Sequence, residues 1–460
     1  MNLAAVADST VDTDHLDCAA KFAASLKRQD LPEPVVDRVK LMLLDIFGVM
    51  IAGSAEERVQ KMNAALRKRG STGTSFTIGD RGSCDAADAA AVNATAGCSH
   101  VLEEGHKYAR GHVGNNVIPA VMAVAEEHKA SGSDLITAIV AGYETAVRMG
   151  LSCRVRPSMH SSGTWHTVGA TAGVARAMSL SPAQTRAAMN IASALTLATS
   201  WNAAEEGATV RDLYAGIGGS NAVWAPRWAM SGFTGADGDI PHVFSHVSSE
   251  KFDASELSGG LGERWEVLRN YFKIHACCRN FQSAIDAVLE LKTQHVFGAG
   301  EIARVQVATF GVPVRSNACT DPKNALAAKE SLPVTLALTL IHGHCDQGVF
   351  DEKNLRASET ARLVSCITIA CDPKLDALFP EMRPSRVSIE LQDGRKLESY
   401  FPVAVGDPAL PLTPADLEAK FFRLTTPIIG QAAYDLRAAI DNVDRLPLAS
   451  ALTAAIRRVS

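Results

Sequence analysis

The chain has 460 residues, 47% of them hydrophobic, and a formal net charge of -5. That length supports a sizeable core spread over two or three domains, and the mild negative charge without any Lys/Arg block argues against nucleic acid as a partner. The ten cysteines form no C-x-x-C pair and no framework spacing, so they read as reduced thiols. The first residues lack a basic and then apolar leader, and no stretch approaches the ~20 apolar residues of a membrane span; a cytoplasmic protein with no membrane contact is expected.

In chain order, residues 13–235 are alanine-rich with apolar residues recurring at three and four, as over 39–47 and 134–147. Ser181-Pro182-Ala183-Gln184 predicts a helix start, with a serine cap, proline in the first turn and a glutamine that closes a capping box. Helices so rich in alanine and glycine approach closely, which predicts a tight bundle. Beyond about residue 270 the texture changes. Residues 304–310 and 386–391 alternate apolar and polar, and 392–395 (Gln-Asp-Gly-Arg) predicts a hairpin turn into a strand over 396–401. Helical patterns persist around 332–338 and 415–421, 406–411 reads as a linker, and the last fifty residues are helical again. The fold class expected is mainly α with an α+β part.

Several chemistries have no motif here. The run Gly216-Ile-Gly-Gly-Ser-Asn221 lacks the third glycine and the preceding strand of a dinucleotide fingerprint, and Walker A, H-E-x-x-H and G-x-S-x-G patterns are absent. His342-Gly-His-Cys-Asp346 is too short and isolated for a metal site and suits a helix end.

Four clusters remain. Residues 100–112 crowd Glu103, Glu104, His106, Lys107 and His112 into one segment between helices. Residues 163–169 carry His166 beside a tryptophan, which also describes a packed turn. Residues 209–216 hold Arg211 and Tyr214. Residues 271–280 bring Lys273, His275, Cys277, Cys278 and Arg279 together just ahead of a helical pattern, a cationic arrangement suited to an anionic substrate. Vicinal Cys277 and Cys278 suit core packing or cleft lining better than a nucleophile or a strained mutual disulfide.

These clusters, in this order and spacing, resemble the MmgE/PrpD family, whose members include 2-methylcitrate dehydratases, cis-aconitate decarboxylases and iminodisuccinate epimerases. The likeness extends from residues 36–48 through 93–120, 141–144, 165–167, 211–216, 232–235, 273–286 and 328–333 to 406–408. It implies a large all-helical domain (residues 1–268 and 406–460), a smaller α+β lid domain (269–405) and an active site in the cleft between them. It also implies a homodimer, no cofactor or metal, and chemistry on a proton α to a carboxylate of a small di- or tricarboxylate. By the resemblance, His112 corresponds to a histidine of the loop lining the cleft, His166 to the histidine of a W/F-H-P-T pattern, and Lys273 to a lysine at the lid entrance. Arg211 stands where better-known members carry lysine, and Tyr214 where histidine is frequent. His112, His166 and Glu104 are therefore the expected catalytic residues. Lys273, Arg211, His106, Lys107, Tyr214, Cys278 and Arg279 are expected around the substrate.

Two departures shape the activity to expect. The first aspartate of the family's L-D-F-D-D type run aligns with Val101, leaving Glu103 and Glu104 as the acids, and a histidine of decarboxylase members aligns with Cys278. Both point away from cis-aconitate decarboxylation and from simple equivalence with 2-methylcitrate dehydratase. The expected activity is that of a cofactor-independent hydro-lyase; an epimerase using the same residues and a silent carboxylate-binding member are the alternatives.

Overall fold

The computed structural model describes residues 9–80 and 82–457, with side chains from residue 14 onward. The chain is mainly helical. Helix Glu33–Ser54 is buried on most of its surface and forms the centre of the larger part, surrounded by Ala86–Cys98, Gly114–Glu127, Gly132–Ser152, Trp165–Ala177, Pro182–Ala194 and Val210–Met230. The expected start at Ser181 is present: its side chain accepts from the Gln184 amide, and Gln184 closes the capping box.

Close helix approach comes from small residues. A Cβ on Gly169 would lie 2.2 Å from the Ala146 Cα, and one on Gly142 3.1 Å from the Gly173 Cα, so helices Gly132–Ser152 and Trp165–Ala177 touch backbone to backbone. The G-x-G-G run at 216–219 serves the same end inside helix Val210–Met230. The C-terminal helices Pro414–Ile429, Ala432–Asp441 and Ala451–Arg457 return to this part, with Phe421 and Leu424 packed on Gly48.

The smaller part carries a four-stranded sheet in the order Lys396–Phe401, Ser385–Leu391, Ile302–Thr309, Ile367–Cys371, the first two pairings antiparallel and the last parallel. Helices Gln282–Gln294 and Leu332–His342 accompany it. The hairpin turn is where the sequence placed it, with Gly394 at φ 88°. Gly343, at φ 77°, caps helix Leu332–His342, so His342 and His344 flank a helix end.

Where the two parts meet, Asn270–Tyr271 pairs antiparallel with Gly105–His106, and Asn324 donates to the Gly207 carbonyl at 3.1 Å. The expected linker at 406–411 is instead a tight turn pinned against that strand pair. The Phe272 amide donates to the Gly406 carbonyl at 3.1 Å. Gly406, at φ 91°, has no room for a side chain, since a Cβ would lie 2.1 Å from the Phe272 carbonyl oxygen. No helix among the described residues is long and apolar enough to cross a membrane.

Candidate active site

The segment between helices Ala86–Cys98 and Gly114–Glu127 folds as a buried loop whose shape is imposed from outside. Val101 adopts φ 55°, a left-handed conformation that costs a β-branched residue roughly 1–2 kcal/mol. Lys273 Nζ holds it there through the Val101 carbonyl at 2.5 Å. Lys420, from the C-terminal helices, donates to the Leu102 carbonyl at 2.9 Å, to the Lys273 carbonyl at 2.7 Å and to Asp45 at 2.5 Å. Asp45 in turn accepts from the Glu104 amide at 2.9 Å. A lysine, an aspartate and a second lysine from three distant segments thus clamp one loop.

The two adjacent glutamates of that loop face opposite environments. Glu103 lies among Lys273 (3.5 Å), Arg211 (3.6 Å) and His112 (3.9 Å). Burial alone would raise its pKa, but the Lys273 and Arg211 cations and the adjacent His112 outweigh burial and hold its carboxyl at about 2. Glu104 turns its carboxylate away, accepting from the Gly114 amide and, at 3.1 Å each, from Tyr143 and Asn270. Burial, with the nearby Asp45 adding to it, outweighs these hydrogen bonds and pushes its carboxyl up to about 7.

His112 closes the loop. Its Nδ1 lies 2.9 Å from the Glu104 carbonyl oxygen, so Nδ1 carries the hydrogen and Nε2 keeps its lone pair. Burial lowers its pKa to about 4, the lift from Glu103 being offset by Lys273 and Arg211, and the ring is neutral near pH 7.

A cleft of about 540 Å³ opens in front of this assembly. His112, Arg211, Cys278 and Arg279 line it, and seven arginines in all reach its wall. Arg211 donates to the Cys98 carbonyl at 3.0 Å and rests on Glu103 and Asp212. Arg279 lies 4.3 Å above the Tyr271 ring and donates to Asp407 at 2.9 Å, leaving its Nε and Nη1 without partners. Burial, with Arg279 and Arg110 nearby, lowers Arg383 to about 10. Such a wall can pair with several negatively charged groups at once.

Cys278 apart, the other expected site residues lie behind the wall. His166 is fully buried beneath Gly111, whose absent Cβ would meet its Nε2 at 2.5 Å; its Nδ1 donates to the Ser161 carbonyl and burial lowers its pKa to about 3. Lys273 is fully buried and committed to Val101 and Glu103. His106 accepts from the Ala109 amide and faces Glu266 at 3.3 Å. Lys107 binds Asp407, the aspartate it shares with Arg279. Tyr214 accepts from the Ser200 amide through its hydroxyl and presents its ring to His160. Cys278 is a free thiol whose pKa burial raises well above the usual value.

Several cleft groups escaped the sequence reading, His160, Glu330 and Arg383 among them. His160 stacks on Trp201 at 5.4 Å, and its Nδ1 accepts from the Ser162 amide, which leaves the hydrogen on Nε2. Glu330 and Arg383 also line the cleft. The turn Pro157–Gly163 that carries His160, rich in serine and glycine just ahead of Trp165, was the available signal.

Residues 18–242 match the MmgE/PrpD N-terminal domain and residues 275–445 the MmgE/PrpD C-terminal domain. A cis-aconitate decarboxylase of Aspergillus terreus is 23% identical over 434 residues, covering 87% of this chain and 88% of that protein. The cis-aconitate decarboxylase-like protein oryM of Aspergillus oryzae is 22% identical over 453 residues (92% and 93%), and the cis-aconitate decarboxylase of Mus musculus 24% over 419 residues (86% and 83%). With both domain matches spanning most of its length, the chain belongs to the MmgE/PrpD family.

Proposed function

We propose that this protein is a hydro-lyase that removes the proton α to a carboxylate of a small di- or tricarboxylate and expels a β-hydroxyl. The observation that carries the reading is the neutral His112, its Nδ1–H tied to the Glu104 carbonyl and its Nε2 available as a base, set in an arginine-lined cleft. Arg211 and Arg279 bind the substrate carboxylates. As the α-proton moves to Nε2, charge builds on the adjacent carboxylate, and Arg211 opposes it without reorganising, because Cys98, Glu103 and Asp212 already fix the guanidinium. Lys273, Glu104 and Lys420 act behind the wall by holding the loop that presents His112.

A second reading, epimerisation, is favoured by one feature: two imidazoles, His112 and His160, line the same cleft with opposite tautomers, one with an Nε2 lone pair and the other with an Nε2–H. A proton removed by the first and returned by the second would invert the carbon. Proton NMR of malate, citrate and related C4–C7 acids incubated with the protein in heavy water tests both. Loss of a hydroxyl with formation of an alkene supports the lyase; deuterium uptake without it supports the epimerase; binding with neither leaves a carboxylate-binding protein.

A further inference from the structure

Dehydration needs a proton for the departing hydroxyl, and Glu104 has its carboxylate engaged behind the wall with Gly114, Tyr143 and Asn270. One other carboxyl reaches the cleft from a buried position. Glu330 ends the short helix Ala325–Lys329, is 6% exposed and lines the cleft together with Cys278 and Arg211. One of its oxygens interacts with the Cys278 thiol, while Oε2 is buried and has no hydrogen-bond partner. A buried ionised carboxylate with an unmatched oxygen is costly, whereas the neutral acid carries a hydrogen to give.

Resting on the dehydratase reading, we propose that Glu330 is a catalytic residue, the general acid that protonates the leaving hydroxyl. The charged groups facing it are Arg211 from helix Val210–Met230, Lys273 from the segment before helix Gln282–Gln294, and Glu103 from the buried loop. Burial is the largest influence and raises its pKa, Arg211 and Lys273 work against that, and Glu103 adds to it.

The step balances. His112 Nε2 takes the α-proton, the C–H electron pair becomes the new C=C bond, and the C–O bond breaks with its pair leaving on oxygen. That oxygen takes the Glu330 proton and departs as water. His112 is left protonated and Glu330 ionised, and bulk water in the open cleft returns both to their starting states. Glu330 and His112 thus divide the two proton transfers, one starting with the proton to give and the other without it, which is what acid-base elimination requires.

The test compares wild type with Glu330→Gln, which preserves the shape of the side chain. The probes are malate and citrate for dehydration, 2-chlorosuccinate for elimination of a group that needs no proton, and tricarballylate for α-proton exchange in heavy water. The expected result is a loss of about 100-fold or more in kcat for dehydration, with chloride elimination and exchange kept within about 3-fold. The alkaline fall in the wild-type dehydration profile disappears in the variant, and Glu330→Asp recovers part of the rate. Dehydration at the wild-type rate in Glu330→Gln overturns the assignment, as does a parallel loss of all three reactions, which marks a structural role. A wild type that neither dehydrates nor exchanges any of these acids overturns the underlying dehydratase reading and the acid role with it.

Discussion

The Nδ1 of His112 lies 2.9 Å from the backbone carbonyl oxygen of Glu104. That contact fixes the tautomer and the direction of the imidazole, and it depends on the backbone of the loop 99–112 rather than on the Glu104 carboxylate. The loop is in turn clamped by Asp45 at the Glu104 amide and by Lys420 at the Leu102 carbonyl. Helix Glu33–Ser54 and the C-terminal helices therefore set the position of an imidazole that belongs to neither.

If His112 is the base, His112→Gln lowers kcat by roughly 10²- to 10⁴-fold while leaving the melting temperature within a few degrees, because the ring touches the loop through one hydrogen bond. Steady-state kinetics on the dehydrated acid, with thermal unfolding as the control, measures both.

Removing one partner of the Asp45–Lys420 pair strands the other charge in the interior. Lys420→Met is expected to cost about 3–5 kcal/mol of stability, and Asp45→Leu combined with Lys420→Met to recover part of it. Urea unfolding of the two variants reads the difference, and residual activity of the double variant reports whether the loop keeps its shape without the clamp.

The adjacent glutamates predict opposite dependences on pH. Glu103, held at about 2, contributes stability that is present above the ordinary carboxylate range and is lost as pH falls through about 2. Glu104, raised to about 7, contributes stability that is present below the ordinary range and is lost as pH rises through about 7. Between pH 5 and 8 the wild type should lose on the order of 2 kcal/mol relative to Glu104→Gln, whose side chain cannot ionise. Denaturant unfolding at the two pH values checks the sign.

Arg383 lines the cleft and makes no salt bridge among the described residues, its nearest acidic influence being Asp407, which Lys107 and Arg279 already engage, so its charge can face a bound anion. Arg383→Ala should raise KM by roughly 10-fold with kcat changed by less than about 3-fold, the pattern of a lost binding contact. The wild-type KM should also climb with added salt more steeply than that of the variant.

Much of this was legible in the amino acids. Helical periodicity, the Ser181 capping box and the Asp393-Gly394 hairpin turn are local signals, and the structure places all three where they were read. Arg211, His112, Cys278 and Arg279, each read from a polar cluster next to a helix end, reach the cleft. What escaped was set by long-range geometry. Residue type does not say which atom of Glu104 works, and here it is the carbonyl. Lys273 looks like an anion clamp in sequence, yet it is turned inward to a strained Val101 that only the folded chain reveals. His160 and Glu330 sit in short segments, 158–162 and 329–331, that carry no dense charged cluster, so only the cleft brings them together. Asp407 sits in what reads as a linker, and the ion pairs it makes with Lys107 and Arg279 link positions about 300 and 128 residues apart.

The measurement that bears most directly on the account is proton NMR of the wild-type protein with C4–C7 hydroxy di- and tricarboxylates in heavy water. The account predicts α-proton loss coupled to disappearance of the hydroxyl-bearing carbon signal and growth of an alkene resonance, abolished in His112→Gln. Saturable binding of these acids with every α-proton signal unchanged would contradict it.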